Sequence, residues 1–294
     1  MKTRKAHFRG TWYPGDAREC EREIDAFLSA GRADDFPGET HVGAVAPHAG
    51  WVFSGGPACR AVKRLSGDKT DLVILFGTHL HPGSRPRIMT RGAWETPFGD
   101  IRVHEEFASG MMDLFDFDVE MCEGDSFDPP PDNTLEVLLP FVKYFFKDAA
   151  VAVAGAPPAP VSIDMGKAAA EICRDMGLAA RVLGSTDLTH YGRSYGFLPA
   201  GTGKKAVQWA RDENDRRVID AILDMKPREV IDEALKRQNA CCAGAAAAAM
   251  AASKGLGAFR ARLLEYASSH DAQPGDSFVG YAGIVFAAQD KTDA

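Results

Sequence analysis

Residues 71–83 read DLVILFGTHLHPG. The run from Leu72 to Phe76 is apolar without the polar alternation of a half-exposed strand. It stops at Gly77 and gives way to two histidines. A short, continuous apolar run bounded by turn residues suits a strand buried on both faces. Polar, metal-competent side chains then fall just past its carboxyl end.

The same grammar recurs on either side. HVGAVAP (41–47), AAVAVAGA (149–156), ARVLGST (180–186) and FVGYAGIVFA (278–287) are further apolar runs, most of them closing on Gly or Pro. Between them lie segments with apolar residues at helical spacing: 20–30, 57–65, 136–146, 164–176, 204–225 and 242–252. Strands alternating with helices predict an α/β fold with a central, largely parallel or mixed sheet flanked by helices. Residues 91–103 (RGAWETPFGDIRV) carry the turn signal Pro97-Phe98-Gly99-Asp100 and predict a hairpin or edge extension. No composition shift marks a linker and no repeat is visible, so residues 1–294 are expected to form a single domain.

Composition narrows the function. The net charge is −7, and Lys and Arg are scattered, which argues against a nucleic-acid surface. No apolar run is long enough to span a membrane, and the basic N-terminus has no apolar segment behind it. The six cysteines show no CxxC or zinc-ribbon spacing, as expected of reduced thiols in the cytoplasm. Asp125, Asp128 and Asp132 fall in a proline-rich stretch that reads as a solvated surface loop.

In open α/β sheets ligands bind beyond the carboxyl ends of the strands. Three candidate strands end there in histidine-bearing loops: Pro47-His48, Thr78-His79-Leu80-His81 and Asp187-Leu188-Thr189-His190. Of the eight histidines in the chain, four lie in these loops. Singly, each reads as a hydrogen-bonded loop residue; together they point to a site. Imidazole is the commonest metal ligand, and a nearby carboxylate such as Asp187 can fix its tautomer. His48 and one of His79 and His81 are the favoured ligands. His7, His41, His104 and His270 fit no such pattern and are read as structural.

Cys242 precedes AGAAAAAMAA, the stretch of highest helix propensity, with Asn239 as a candidate cap. A thiol in the first helical turn is shifted toward thiolate, the form that ligates metals. Equally, Cys241 and Cys242 could be small buried hydrophobes beside an alanine helix. The pieces SGGP (54–57) and GTGKK (201–205) lack nucleotide-loop spacing. No GxSxG or HExxH occurs.

The segments GTWYPGD (10–16), APHAGWVFSG (46–55), ILFGTHLHPG (74–83) with ETPFGDI (95–101), STDLTHYG (185–192), and the Cys242 helix with VGYAGIVF (279–286) resemble, in order, the Memo family, also called AmmeMemoRadiSam system protein B. The resemblance implies the fold of the class III, LigB-like extradiol dioxygenases, whose Fe(II) sits on two His and one carboxylate. In Memo-like proteins a Cys stands in the carboxylate position. Carried over, His48 and Cys242 match metal ligands, and Asp187 and His190 match pocket residues and are the expected catalytic pair. The family's histidines are adjacent after its glycine. Counted from Gly77, His81 falls on the second of them and is the expected ligand, with His79 turned to its own loop. Asn133-Thr134-Leu135-Glu136 stands where the family has HSxE, so one histidine there is replaced by Asn133.

The resemblance thus implies a metal-binding protein using iron or copper in a redox role, with a small molecule or peptide in the pocket. The alternatives are an extradiol-type dioxygenase and a non-catalytic accessory protein that binds a peptide or small molecule. A thiolate in place of a carboxylate speaks against ring cleavage, because it is the softer ligand.

Overall fold

The computed structural model describes residues 2–31, 39–120 and 130–288. Asp125, Asp128 and Cys122 lie outside the described residues.

Among the described residues, nine strands build the main sheet. In chain order they are β1 (Thr40–Ala46), β2 (Leu72–Gly77), β3 (Arg87–Met89), β4 (Asp118–Glu120), β5 (Ala150–Gly155), β6 (Ala180–Ser185), β7 (His190–Tyr191), β8 (Ala258–Ser268) and β9 (Phe278–Ala288). Their spatial order is β7-β9-β1-β6-β2-β5-β3-β4, and β8 pairs with β9. The four central strands, β1-β6-β2-β5, are mutually parallel, while β9 runs antiparallel to β1, β7 and β8. The fold is therefore α/β with a mixed sheet, as expected. All five apolar runs are strands, and β1, β2, β5 and β6 are buried nearly throughout.

Register sets the functional edge. Ala46 pairs with Ser185, Phe76 with Gly184, and Gly77 with Gly155. The carboxyl ends of the four parallel strands thus stand in one row, and the loops after β1, β2 and β6 all leave the sheet on the same side.

Helices cover both faces. Those that matter for the site are α1 (Trp51–Arg64), α2 (Pro160–Asp175), α3 (Asp215–Leu223) and α4 (Ala243–Gly255). Helix α4 is buried from Ala243 to Ser253, between α2 and the sheet. Small residues make this possible: a Cβ on Gly166 of α2 would run into Ala248 O, and one on Gly184 of β6 would sit 2.7 Å from Ala245 O. The alanine helix lies almost on the sheet backbone, and its N-terminus reaches the carboxyl edge beside the end of β5.

The segment 91–103 forms the expected hairpin. Ala93–Trp94 pairs antiparallel with Ile101–Arg102 around a turn in which Gly99 N–H donates to Thr96 O, and Thr3–Arg4 adds a third strand. Asp132 corrects the sequence reading of an acidic surface loop. It is buried, caps the short helix Asn133–Glu136 through the N–H of Thr134, and accepts the Thr78 hydroxyl at 2.8 Å. Among the described residues no helix is long and apolar enough to cross a membrane.

Candidate metal centre

His48 is the first residue of the site to be fixed. It follows β1 and is 1% exposed. Its Nδ1 lies 2.8 Å from Ser185 Oγ, and that hydroxyl donates its own proton to Thr134 O at 2.5 Å. Ser185 can only accept from His48, so the neutral ring carries its proton on Nδ1 and presents a bare Nε2. Nε2 faces Cys241 Sγ at 3.3 Å. The His48 backbone is held at both ends: its N–H donates to Asp187 Oδ1 at 2.7 Å, and its carbonyl accepts from Asn133 Nδ2 at 3.3 Å. Asn133, where the family pattern has a histidine, has become a scaffold for His48.

The second imidazole is His79. Thr78 stands at φ +66°, a left-handed conformation unfavourable for a β-branched residue. It is retained because Thr78 N–H donates to Thr134 Oγ1 at 2.6 Å and its hydroxyl to Asp132. That bend swings His79 back over the sheet edge, where its ring meets His48 edge-on with centroids 5.1 Å apart. His81 is correspondingly displaced. It is exposed, and its backbone N–H donates to Ser84 Oγ while its carbonyl accepts Ser84 N–H. The count from Gly77 places His81 in the pocket with His79 turned to its own loop; in the structure both histidines are exposed, and it is His79 that joins the cluster.

The thiols come from the mouth of α4. Cys242, not Asn239, is the N-cap residue; Asn239 instead donates to Asn214 O. Cys242 N–H donates to Thr186 Oγ1 at 3.0 Å. Cys241 is clamped in both directions by Asp187: Cys241 N–H donates to Asp187 O at 3.1 Å, and Asp187 N–H donates to Cys241 Sγ at 3.3 Å. The two sulfurs lie 3.8 Å apart. One ligand atom from each of His48, His79, Cys241 and Cys242 lies within 4.8 Å of every other.

The electrostatics divide the thiols. Burial alone would push Cys241 up, but hydrogen bonds from Cys242, His48 and His79 and the charge on His48 hold it well below the ordinary thiol range. Cys242 moves the other way, raised by burial and by its neighbour's negative charge. For His48, burial favours the neutral ring, and the charges of Asp187 and Cys241 outweigh it, pushing the imidazole up to about 9. The two shifts reinforce each other: the charge on His48 favours the Cys241 thiolate, and the Cys241 charge favours the protonated His48 ring.

Asp187 and His190 flank this cluster. Asp187 Oδ2 lies 3.9 Å from His48 Nε2 and 3.8 Å from His190 Nε2. The His190 ring stacks on Tyr195 with centroids 5.0 Å apart. Burial would lower its pKa, but the Asp187 hydrogen bond and the charges of Cys241 and Asp187 raise it. Above the cluster opens a groove of about 1270 Å³ lined by His48, His79, His190, Trp12, Tyr195 and Tyr281, among others. Its wall is the N-terminal segment, pinned by buried Glu136, which accepts the N–H groups of His7 and Phe8 and the hydroxyl of Tyr13.

Of the expected site residues, His48, Asp187, His190 and Cys242 come together and His81 does not. Sequence reasoning missed His79 as the clustered imidazole and Cys241 as a clustered thiol. The signal for the latter was the vicinal pair itself. His104 caps a helix, donating no ligand, and His41 is buried beside Glu39, in keeping with structural roles.

The Memo-like protein family model matches residues 4–285. A MEMO1 family protein of Pyrococcus furiosus is 33% identical, the alignment covering 96% of this chain and 98% of that one. One from Methanosarcina acetivorans is 30% identical over 97% and 99%. An uncharacterized protein from Escherichia coli K12 has a similar fold at 11% identity, with a TM-score of 0.51 over 83% of this chain and 98% of its own. With both the family model and full-length relatives in agreement, the chain belongs to the Memo family.

Proposed function

We propose that the protein is a metal-dependent member of its family, holding iron or copper through His48, His79 and Cys242 at the floor of an open groove. The observation that carries this reading is the convergence of two imidazoles and two thiols from three different loops. The donor set fits such a group: with Nδ1 held by Ser185, the neutral ring of His48 would offer Nε2 to a metal, and Cys241 beside it is shifted toward thiolate. Imidazole and thiolate together suit copper, zinc and iron rather than magnesium or calcium. When bound, the metal would supply a change of oxidation state and reactivity toward oxygen.

The chain's own residues would supply the rest. Ser185 and Asp187 orient His48. His190, whose pKa is raised beside Asp187, could donate a proton to a molecule in the groove, with Asp187 balancing its charge. The groove is wide enough for a small organic molecule or the end of a peptide, and the exposed side chains of Trp12, Val52 and Tyr195 offer apolar contact at its rim. Ring cleavage of the extradiol type is the weaker reading, because the four clustered donors include no carboxylate. The five described cysteines are free thiols, which supports a reducing, cytoplasmic setting.

The test is elemental analysis of protein purified without oxygen, with His48→Ala and Cys242→Ser in parallel. The reading expects near-stoichiometric iron or copper in the parent and its loss in both variants. Metal-free protein that cannot be reconstituted would leave an accessory binding role instead.

A further inference from the structure

His190 stands on a strand of only two residues, whose pairing with Val279 and Phe278 is too short to fix a side chain that lines the groove. We infer that Thr189 is the positioning residue for His190: its hydroxyl, locked from below by Asn214 and Asp215, holds the neighbouring ring between Asp187 and Tyr195. This rests on the reading of His190 as the proton donor of the groove.

Neighbouring residues of an extended segment point to opposite sides. His190 turns to the groove, and Thr189 turns inward, where it is fully buried. Every polar group of Thr189 is bonded there. Its backbone N–H donates to Asp215 Oδ1 at 2.9 Å, and its hydroxyl donates to the same oxygen. Thr189 Oγ1 accepts from Asn214 Nδ2 at 3.0 Å, and its carbonyl accepts the Gly280 N–H at 3.1 Å. A buried hydroxyl that both donates and accepts leaves its residue one orientation, and a fully satisfied polar network is rigid. On the far side of the same backbone, His190 Nε2 lies 3.8 Å from Asp187 Oδ2.

Two consecutive residues, Asn214 and Asp215, reach one hydroxyl. The helix over 204–223 widens into a π-helical turn at Ala210–Asn214, which ends directly at this pair. Such turns are rare and occur frequently at functional sites. The clamp also continues outward. Asp215 Oδ2 accepts the Tyr266 hydroxyl at 2.7 Å, and the Arg211 guanidinium lies 5.3 Å from the centre of the Tyr266 ring. Arg211 pairs with both oxygens of Asp271 at 3.0 Å, and Asp271 accepts the Ser268 N–H in the capping box of the turn Ser269–Ala272. Ser269 lines the groove. One chain of polar contacts therefore ties the wall of the groove to the residue beside its proton donor.

The stack of His190 on Tyr195, with centroids 5.0 Å and planes 17° apart, supplies the reporter, because the tyrosine ring current moves the His190 Cε1–H signal upfield. NMR of the reduced, metal-stripped full chain, isotopically labelled at histidine Cε1, reads this shift across pH, so that protonation is separated from stacking. His190→Gln assigns the signal, and Tyr195→Leu gives its unstacked position. Thr189→Val keeps the size and branching but removes the hydroxyl, and its His190 signal should move to the unstacked position. Thr189→Ser retains the hydroxyl and should keep the parent shift. Tyr266→Phe loosens the clamp one bond further away and should move the signal part of the way, which decides the matter where Thr189→Val does not fold. A His190 signal unmoved in Thr189→Val or in Tyr266→Phe, or moved equally by Thr189→Ser and Thr189→Val, overturns the positioning role. Elemental analysis of the parent separates this from the metal reading. A His190 signal that follows Thr189 in a parent that cannot be loaded with iron or copper leaves the positioning role standing and removes the metal. A loaded parent whose His190 ignores Thr189 does the reverse.

Discussion

The Asp187 carboxylate accepts the backbone N–H of His48 at 2.7 Å, while the Asp187 backbone N–H donates to Cys241 Sγ at 3.3 Å. One residue thereby fixes the loop after β1 against the loop after β6 and sets a thiol between them. Its role is to hold the donors in register, which needs both its charge and its acceptor geometry.

Asp187→Ala should therefore weaken metal binding by roughly 10- to 100-fold, the usual cost of removing a group that orients a ligand. Asp187→Asn keeps an acceptor for the His48 N–H but loses the charge, and should fall between. Competition with a chelator of known affinity measures this. An alanine variant that binds as tightly as the parent would remove Asp187 from the site's machinery.

His79→Ala and His81→Ala separate the two histidines of the β2 loop. His79 is clustered with His48, and His81 sits in the exposed turn closed by Ser84. Metal content and melting temperature should change in the His79 variant and stay near the parent in the His81 variant. Metal lost only with His81 would restore His81 as the ligand, as the count from Gly77 implies.

This pair shows where the sequence ceases to be readable. The parallel strands are legible because continuous apolar runs have one simple interpretation, and His48, Asp187 and His190 follow from their positions just past strand ends. The Thr78 bend is not legible. A β-branched residue is the last expected at φ +66°, and the bend exists only because Asp132 and Thr134, distant in sequence, bond it. Strand β8 and the helix Pro227–Arg237 also escape a sequence reading. In β8 the apolar run is broken by Arg260 and Arg262, whose charges are met by Glu39 from elsewhere in the chain.

Gly184→Val should act at a distance. A Cβ there meets Ala245 O at 2.7 Å and Ala249 Cβ at 2.8 Å, so α4 must lift from the sheet and carry Cys242 with it. Overpacking of this kind costs on the order of 1–3 kcal/mol, and metal affinity should fall along with stability. Urea unfolding and a chelator titration report the two. A variant destabilised but binding normally would show that the thiols are positioned by their loop alone.

Asp215 lies beneath the loop carrying Asp187 and His190. It is fully buried. Its Oδ1 accepts the backbone N–H of Thr189 at 2.9 Å and the Thr189 hydroxyl, and its Oδ2 accepts the Tyr266 hydroxyl at 2.7 Å. Burial pushes the carboxyl up to about 6, against the downward pull of those hydrogen bonds from Thr189 and Tyr266. A carboxyl raised in the folded state keeps its proton where the unfolded chain has lost it. Its contribution to stability is therefore full below about pH 4 and declines as pH rises through about 6. Asp215→Asn cannot titrate, so the parent's advantage over this variant should be larger at pH 4 than at pH 7, by on the order of 2 kcal/mol. Thr189 links Asp215 to the site, so the variant should also bind metal less tightly at pH 7. Urea unfolding of both proteins at the two pH values decides it. A difference independent of pH would mean that Asp215 is ionised in the folded protein throughout, held by its donors despite the burial.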